Sequence, residues 1–402
     1  NHNFSGRQEV TGNINGRFNV FIGDKAGYSN TTGGGNVIIG ATSGYLNTDG
    51  YYNVFLGNWS GRSNTTGHEN IFIGNRSGWY NTEGYKNIFV GSFSGYQNEL
   101  GSNNIFFGDS AGYTNTIADN NIFIGNKSGF ANANGSRNVF LGYQSGYSNQ
   151  SGGNNVFLGN NSGFGNLSGY KNVFIGDSTG YNNETGRFNI FIGDRVGYSN
   201  AEGSGNVIIG ATAGQNNKGW KNTFVGNWSG NKNEIGEHNV FLGNQSGWNN
   251  VSGSRNVCVG SFAGYNNIEG WNNVFIGNYA GFNEQGSGKL YIDVADTDST
   301  NTLIWGDFTA NKVRINGMLG INKHPENNTI EAVYNEGSAN LMLQGTGNTY
   351  SYSRLILMSD ESIDKRWDIM HNKSNAFELS FNNGNVWYND LLKVDTTGNL
   401  IT

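Results

Sequence analysis

A single motif, Asn-Val-Phe-Ile-Gly-Asn-x-Ser-Gly-Tyr-x-Asn-x-x-Gly-x-x, recurs sixteen times between Asn19 and the coil that opens at Asn273. The step is seventeen residues, with one step of sixteen between Asn206 and Asn222. A period this short and strict is the mark of a solenoid, in which each repeat is one coil stacked on the next. Numbering each coil from its opening Asn (Asn19 in the first), position five is Gly in every copy, from Gly23 onward, and so is position nine, from Gly27 onward. Position eight is small, as in Ala26, Ser43 and Ser60. Position twelve is Asn from Asn30 to Asn267, and Glu284 in the sixteenth copy. The short step falls at Asn217-Lys218-Gly219-Trp220-Lys221-Asn222, so the missing residue belongs to a turn, where length changes are tolerated.

Two short strands and two turns are expected per coil. Positions two to four are good strand formers, Gly at position five ends the strand, and the small residue, Gly and aromatic at positions eight to ten make a second strand. The Asn-x-x-Gly stretch returns the chain. Two Gly and two Asn per repeat make a helix implausible. At about 4.8 Å per coil, sixteen coils span roughly 75 to 80 Å. The stacked Asn side chains, Asn19 and Asn30 in the first copy, are expected to form amide ladders that close each turn.

The strand Val-Phe-Ile is apolar on both faces. With positions two and four pointing into the coil, position three, Phe21 in the first copy, points out. Phe occupies this position in thirteen copies, and such a ladder exceeds what a soluble monomer exposes. The second face is then covered by another chain, and a closed ring of three is the simplest arrangement. The rival is a thicker single-chain solenoid that folds Phe and Tyr inward together.

A longer period is superimposed. Asn36-Val-Ile-Ile-Gly-Ala-Thr-Ser-Gly44 returns at 206 as Asn-Val-Ile-Ile-Gly-Ala-Thr-Ala-Gly, and Trp59 and Phe93 return as Trp228 and Phe262. The offset is ten coils and reads as a segmental duplication.

Composition narrows the class. Charged residues and aromatics each make up 13% of the chain, a balance unlike that of disordered sequences. Sixty-four Gly without a Gly-X-Y period exclude collagen. The net charge of −6 leaves no electrostatic footprint for nucleic acid. No apolar run is long enough for a membrane helix. The one cysteine, Cys258, replaces Phe at position three and reads as a small buried apolar residue. The chain opens on Asn1 without a signal-like segment, as expected of a processed chain or a fragment.

The chain divides into a partial repeat or cap (1–18), the sixteen-coil region (19–288), a β connector (289–325) and a C-terminal β domain (326–402). Residues 13–18 keep the repeat register through Asn13 and Gly16, whereas 1–12 do not. In the last region, runs such as Leu341-Met-Leu, Leu355-Ile-Leu-Met, Trp367-Asp-Ile-Met and Phe377-Glu-Leu-Ser-Phe, separated by polar turns, suggest a small β-sandwich. It is a plausible tip.

Asn-Val-Phe-Ile-Gly-Asn-x-Ser-Gly resembles the Asn-x-Val-x-Ile-Gly repeat of trimeric autotransporter adhesin heads. That resemblance implies a left-handed parallel β-roll with three chains side by side. Lys289-Leu-Tyr-Ile-Asp293, Leu303-Ile-Trp-Gly-Asp-Phe308 and Val313-Arg-Ile-Asn-Gly-Met-Leu-Gly-Ile321 resemble the linker module of phage tail fibres and bacterial surface fibres. In such proteins an ending like Leu392-Lys-Val-Asp-Thr-Thr-Gly-Asn-Leu-Ile401 commonly precedes an endosialidase-type intramolecular chaperone. The resemblance covers 19–321 well and 322–402 loosely. It implies an extracellular homotrimeric fibre, on a cell surface or a virion or injection device, that adheres to a surface glycan or protein. The alternatives are a spacer shaft without its own binding site and a tailspike enzyme that cleaves surface polysaccharide.

Catalysis is not expected, since no carboxylate pair recurs in register. No metal or cofactor is expected either: His324 and His371 lack ligand spacing, and position six is Asp only at Asp24, Asp109, Asp177 and Asp194. Aromatics are the binding candidates. Trp59 and Trp228, with Phe93, Phe262 and Tyr279, occupy the variable position seven, expected to face out. Trp387 and Tyr388 follow an Asn-Gly turn and are expected on a surface loop. Tyr28, Tyr45, Tyr96 and Tyr113 at position ten read as packing, and Trp367 as core.

Overall fold

A computed structural model describes residues 15–295 and 299–316, together with the backbone of strand β1 (Phe4–Gly6) and of strands β21 to β24 near the C-terminus. From β2 (Val20–Ile22) to β17 (Val274–Ile276), each coil contributes one three-residue strand. Each pairs in parallel with the next at like positions, as Phe123 with Phe140 and Phe140 with Phe157. The result is a parallel β-solenoid of seventeen-residue coils.

The strand register is the reverse of the one expected. Position three points inward. Phe55, Phe72, Phe89 and the other Phe of this column are fully buried, while positions two and four stay half-buried or exposed. The inward rings stack face to face, with Phe72 and Phe89 centroids 4.8 Å apart and 6° from parallel. Sixteen rungs at this spacing span roughly 75 Å.

Room for the ring comes from position nine. A Cβ on Gly129 would lie 2.5 Å from two ring carbons of Phe123, and Gly146 stands in the same relation to Phe140. Position eight lines the same space, with Ser128, Ser145 and Ser162 fully buried. The Ser145 hydroxyl donates to the Phe157 carbonyl of the next coil. A narrow coil therefore holds a large ring because two small residues face it; Phe turns inward as in the rival arrangement, but Tyr at position ten does not, Tyr28 being 37% exposed.

Positions eight to ten do not form a second strand. Position seven lies in the left-handed region in all sixteen coils, with φ between 50° and 60° and no Gly among the sixteen residues. Position nine is left-handed as well, as at Gly129 with φ of 60°. Two such residues in three bend the chain into a continuous turn. The conformation at position seven is held by a hydrogen bond between coils: the Thr42 amide donates to the Asp24 carbonyl at 2.7 Å, and the Arg76 amide to the Asn58 carbonyl at 2.9 Å. Position five takes a third positive φ, near 135° at Gly125, with the backbone of the next coil directly beneath it.

Two amide ladders run the length of the coils. The Asn138 Oδ1 accepts the Asn155 amide at 2.9 Å, and its Nδ2 donates to the Gly152 carbonyl at 2.8 Å. In the second ladder Asn149 Nδ2 donates to Asn132 Oδ1 and to the same Gly152 carbonyl. Position fifteen is thus gripped from both sides, which closes the coil. All of these groups are buried, so removing one strands its partners. Asn138→Ala is expected to cost about 2–4 kcal/mol. Hydrogen exchange should show the loss confined to the two coils that share Asn138 and Asn155.

The short step is absorbed where the ladders permit. Asn206 and Asn217 both donate to the Gly219 carbonyl, and Asn222 Nδ2 reaches across to Asn217 Oδ1 at 3.0 Å. The strand register passes undisturbed, Val207 pairing with Thr223.

Strand β1 pairs in parallel with β2, Phe4 opposite Val20, so residues 4–6 supply an additional rung where the sequence shows no repeat. At the other end β18 (Lys289–Ile292) adds the last parallel rung, and β19 (Ile304–Asp307) and β20 (Lys312–Ile315) continue the sheet antiparallel. Tyr291 takes the place of Phe in the core and meets Phe275 edge-on. The Lys289 ammonium lies 2.7 Å from the Asp307 carboxylate. That ion pair, with hydrogen bonds from Thr309 and Ala310, holds the Asp307 carboxyl well below the usual carboxylate range. The turn away from the parallel stack ends its template for further parallel pairing.

Residues 320–402 form a separate unit. In it β21 (Ser353–Met358), β22 (Lys365–His371), β23 (Phe377–Asn383) and β24 (Trp387–Val394) make an antiparallel meander. The runs at 355–358, 367–370 and 377–381 are strands as expected; Leu341-Met-Leu lies outside the described residues. The described strands form one sheet, so the second layer of the expected sandwich is not among them.

Candidate binding surfaces of the solenoid

Three exposed lines of side chains run along the coils. The first is the outer face of the strands. Positions two and four hold thirty-two residues over the sixteen coils, and the only polar one is Thr223. Ile71, Ile88, Ile105 and Ile124 are more than a third exposed, and Phe107 is 56% exposed. This strip, about 75 Å long and one three-residue strand, or ~10 Å, wide, covers on the order of 750 Å². It exceeds the few hundred Å² normal for a soluble monomer. The exposed apolar stripe inferred from sequence therefore exists, but it is aliphatic apart from Phe107 and Thr223 and lies at positions two and four.

The second line is position ten. Rings from Tyr96 through Tyr113, Phe130, Tyr147, Phe164 and Tyr181 to Tyr198 stack in consecutive coils, with centroids 4.9 to 5.0 Å apart. Each covers its neighbour's face, so the column packs and leaves only edges to solvent. Burial, reinforced by Tyr80, raises the Tyr96 phenol above its ordinary value. The Arg62 guanidinium occupies a rung of this column, 5.6 Å from the Tyr45 centroid and 5.2 Å from that of Trp79.

Trp59 and Trp228 sit beside this column and face outward, but they differ. The Arg76 guanidinium lies over Trp59 at 4.7 Å and also contacts Trp79 and Phe93. The coil that matches it ten coils on carries Gln245 in place of Arg76. Trp228 meets Trp248 edge-on at 5.7 Å and remains 42% exposed. Trp228 is the more open of the two. Phe262 stacks on Tyr279 at 4.8 Å, which removes both as separate platforms. Trp387 and Tyr388 are not on a loop. They open strand β24, opposite Asn382 and Phe381.

The third line, position sixteen, carried no sequence expectation. Tyr51, His68 and Tyr85 stack there, with centroids 4.5 and 5.1 Å apart. Its other aromatics are Tyr170, Trp220 and Trp271. Two clefts open on this line, one of about 430 Å³ beside Gly34 and Tyr51 and one of about 310 Å³ beside Ser254 and Trp271. The available signal was a Gly or Ser one coil away from each Tyr or Trp of this line, visible only after the repeats are aligned.

Among the described residues no cluster of three His, Cys, Asp or Glu side chains is placed to hold a metal, and no helix is long and apolar enough to cross a membrane. Cys258 is buried, which pushes its thiol well above its ordinary pKa. No protein-family model, curated protein or solved structure matches the chain.

Proposed function

We propose that the chain is the shaft of an extracellular homotrimeric fibre that adheres to a cell-surface glycan or protein. The observation that carries this reading is the aliphatic strip on the outer face of the strands. Its area matches the roughly 800 Å² per partner of a standard interface, and its composition is that of a buried core. A second copy of the chain is its best complement, because an identical strip repeats with the same 4.8 Å step. Three copies around one axis bury one strip each and close the assembly.

Side-by-side copies present every surface site three times along a rigid column. Multivalent display raises avidity by ~10²–10⁴ without any new contact. Attachment of the full chain to bacterial or host cells is therefore expected to exceed that of a monomeric variant by at least about a hundredfold at equal mass. Equal attachment by both forms would argue against the adhesive trimer, and release of soluble oligosaccharide during the assay would favour a polysaccharide-cleaving spike instead.

A further inference from the structure

Aromatic rings on the solenoid surface fall into two kinds. Those at position ten occupy consecutive coils and hide one another's faces. Those at position sixteen do so only at Tyr51, His68 and Tyr85; otherwise the line is interrupted, as Tyr51 follows Gly34, Tyr170 follows Gly153, Trp220 follows Ser204, Trp271 follows Ser254, and Tyr85 precedes Ser102. Each of these rings has a Gly or Ser in an adjacent coil. Beside each of these five rings the column of side chains thins to Gly or Ser.

The best-defined vacancy lies beside Tyr51. One face of this ring is covered by His68, 4.5 Å away and 13° from parallel. On its other side comes Gly34, whose Cβ position is approached only by the Arg17 backbone, at 3.1 Å. The next side chain along the column is that of Arg17. Its coil and that of Tyr51 are two steps apart, and each step is the 4.8 Å seen between stacked rings. A flat group about as thick as one side-chain layer fits between them. The cleft there includes Thr32, and Tyr51 is 41% exposed.

The second cleft, near the other end of the coils, also sets a small residue beside an aromatic one. Ser254 lies between Glu237 and Trp271, and Trp271 is 51% exposed. The Ser254 hydroxyl accepts the Glu237 amide and donates to the Ser252 carbonyl, which keeps it against the wall and out of the gap. Glu269 and Arg255 also line the opening.

We infer that these two vacancies bind the terminal hexopyranose of a glycan, one ring per cleft, stacked on Tyr51 or Trp271. The Tyr51 face is bordered by the Arg17 guanidinium, the Thr32 hydroxyl and the Phe18 and Tyr52 rings, and Trp271 by the Glu237 and Glu269 carboxylates and the Arg255 guanidinium; an aromatic face with polar groups at its edge suits a ring with one apolar face and a rim of hydroxyls. An apolar protein side chain would leave those polar groups without partners. Because the Tyr51 plane is within 13° of the His68 ring stacked on it from the next coil, a ligand ring that continues the stack must enter edge-on from the side. An end residue can do so, whereas an interior residue of a chain running along the shaft would be blocked by its own neighbours. This inference rests on the adhesive reading and narrows its receptor to a sugar.

The test is binding of the full chain to an array of oligosaccharides that differ in their terminal hexose, amino sugar or sialic acid, alongside cell attachment. The wild-type chain should retain glycans that share one terminal residue. Tyr51→Ala and Trp271→Ala should each weaken binding, and the double variant should lose at least about tenfold. Both residues are exposed, so the thermal midpoint should hold; a drop in midpoint would call for Gly34→Leu and Ser254→Leu, which fill the vacancies while keeping the rings and should abolish the same binding. Unchanged array binding by the double variant, or by the two filled variants, overturns the site while leaving adhesion intact. Cell attachment without any array binding overturns the sugar and leaves a protein receptor. Failure of the wild-type chain to attach to cells overturns the adhesive reading itself.

Discussion

Gly125→Ala is expected to break the solenoid at its middle, whereas Gly129→Ala should break it only while Phe123 keeps its ring. The two glycines are equally invariant in the repeat but serve different purposes. At Gly125 φ is 135°, and an added Cβ would sit 2.4 Å from the Gly142 carbonyl oxygen and 2.6 Å from its carbon. The obstruction is backbone of the adjacent coil, which cannot retreat without lengthening the parallel hydrogen bonds. A cost of at least about 3 kcal/mol follows from the backbone strain and the clash together. At Gly129 φ is 60°, a conformation that other residues adopt at about 1 kcal/mol, and the obstruction is the Phe123 ring at 2.5 Å. A smaller residue at position three is tolerated elsewhere, as Ile38, Ile208 and Cys258 show; a Cβ on Gly44 would still meet Ile38 Cδ1 at 2.6 Å but Cγ2 only at 3.2 Å, so a side chain without a δ carbon, such as Val, relieves most of the contact. In a double-mutant cycle, Phe123→Val should therefore offset Gly129→Ala by at least about 1 kcal/mol and leave Gly125→Ala uncoupled within ~0.5 kcal/mol. Chemical unfolding of the three single and two double variants measures this. Equal coupling at both glycines would mean that the ring does not sit where the inward register places it.

Charge placed on the outer strip should separate the copies without unfolding them. Ile124 and Leu141 are neighbours at position four in consecutive coils and point away from the core. In a single chain they are already partly in water, so Ile124→Glu with Leu141→Glu should change the thermal stability of the coil little. In the proposed homotrimer the same carboxylates would be buried against apolar side chains near the axis, at a cost of several kcal/mol each. At about 25 cal/mol per Å², the strip supplies on the order of 15–20 kcal/mol of gross transfer free energy per chain, from which ordering and association costs are subtracted. Two charges, met three times over, are enough to reverse that balance. The double variant should run as a folded monomer by light scattering with unchanged circular dichroism. Phe123→Glu, one residue away on the inner face, should fail to fold. If both variants behaved alike, the distinction between inner and outer faces would be wrong.

The repeat made the architecture legible and left its interior ambiguous. The coil count, the parallel register and the tolerance of the short step at Lys218 all follow from the spacing of Asn and Gly. The Asn ladders were legible too, because a buried amide at a fixed period has few other partners. Which face of Val-Phe-Ile points inward was not, since alternation between apolar and apolar carries no polarity signal. The informative residues were Gly129 and Ser128 and their counterparts: two small side chains in succession mark the space a large one fills. Position seven concealed its conformation entirely. A left-handed backbone is read from Gly or Asn, yet here Thr42, Trp59 and Arg76 adopt it because hydrogen bonds between coils impose it. Trp59 and Trp228 were legible as outward residues, but the cation that covers one and spares the other depends on Arg76 against Gln245. The position-sixteen vacancies were missed because a small residue next to an aromatic one is adjacent in space and seventeen positions apart in sequence.

The mass of the full chain in solution decides whether the outer strip is covered by copies of itself. Sedimentation equilibrium at micromolar concentration should give three times the 43.6 kDa of one chain. A soluble species of 43.6 kDa, with the strip open to water, would contradict the homotrimeric shaft.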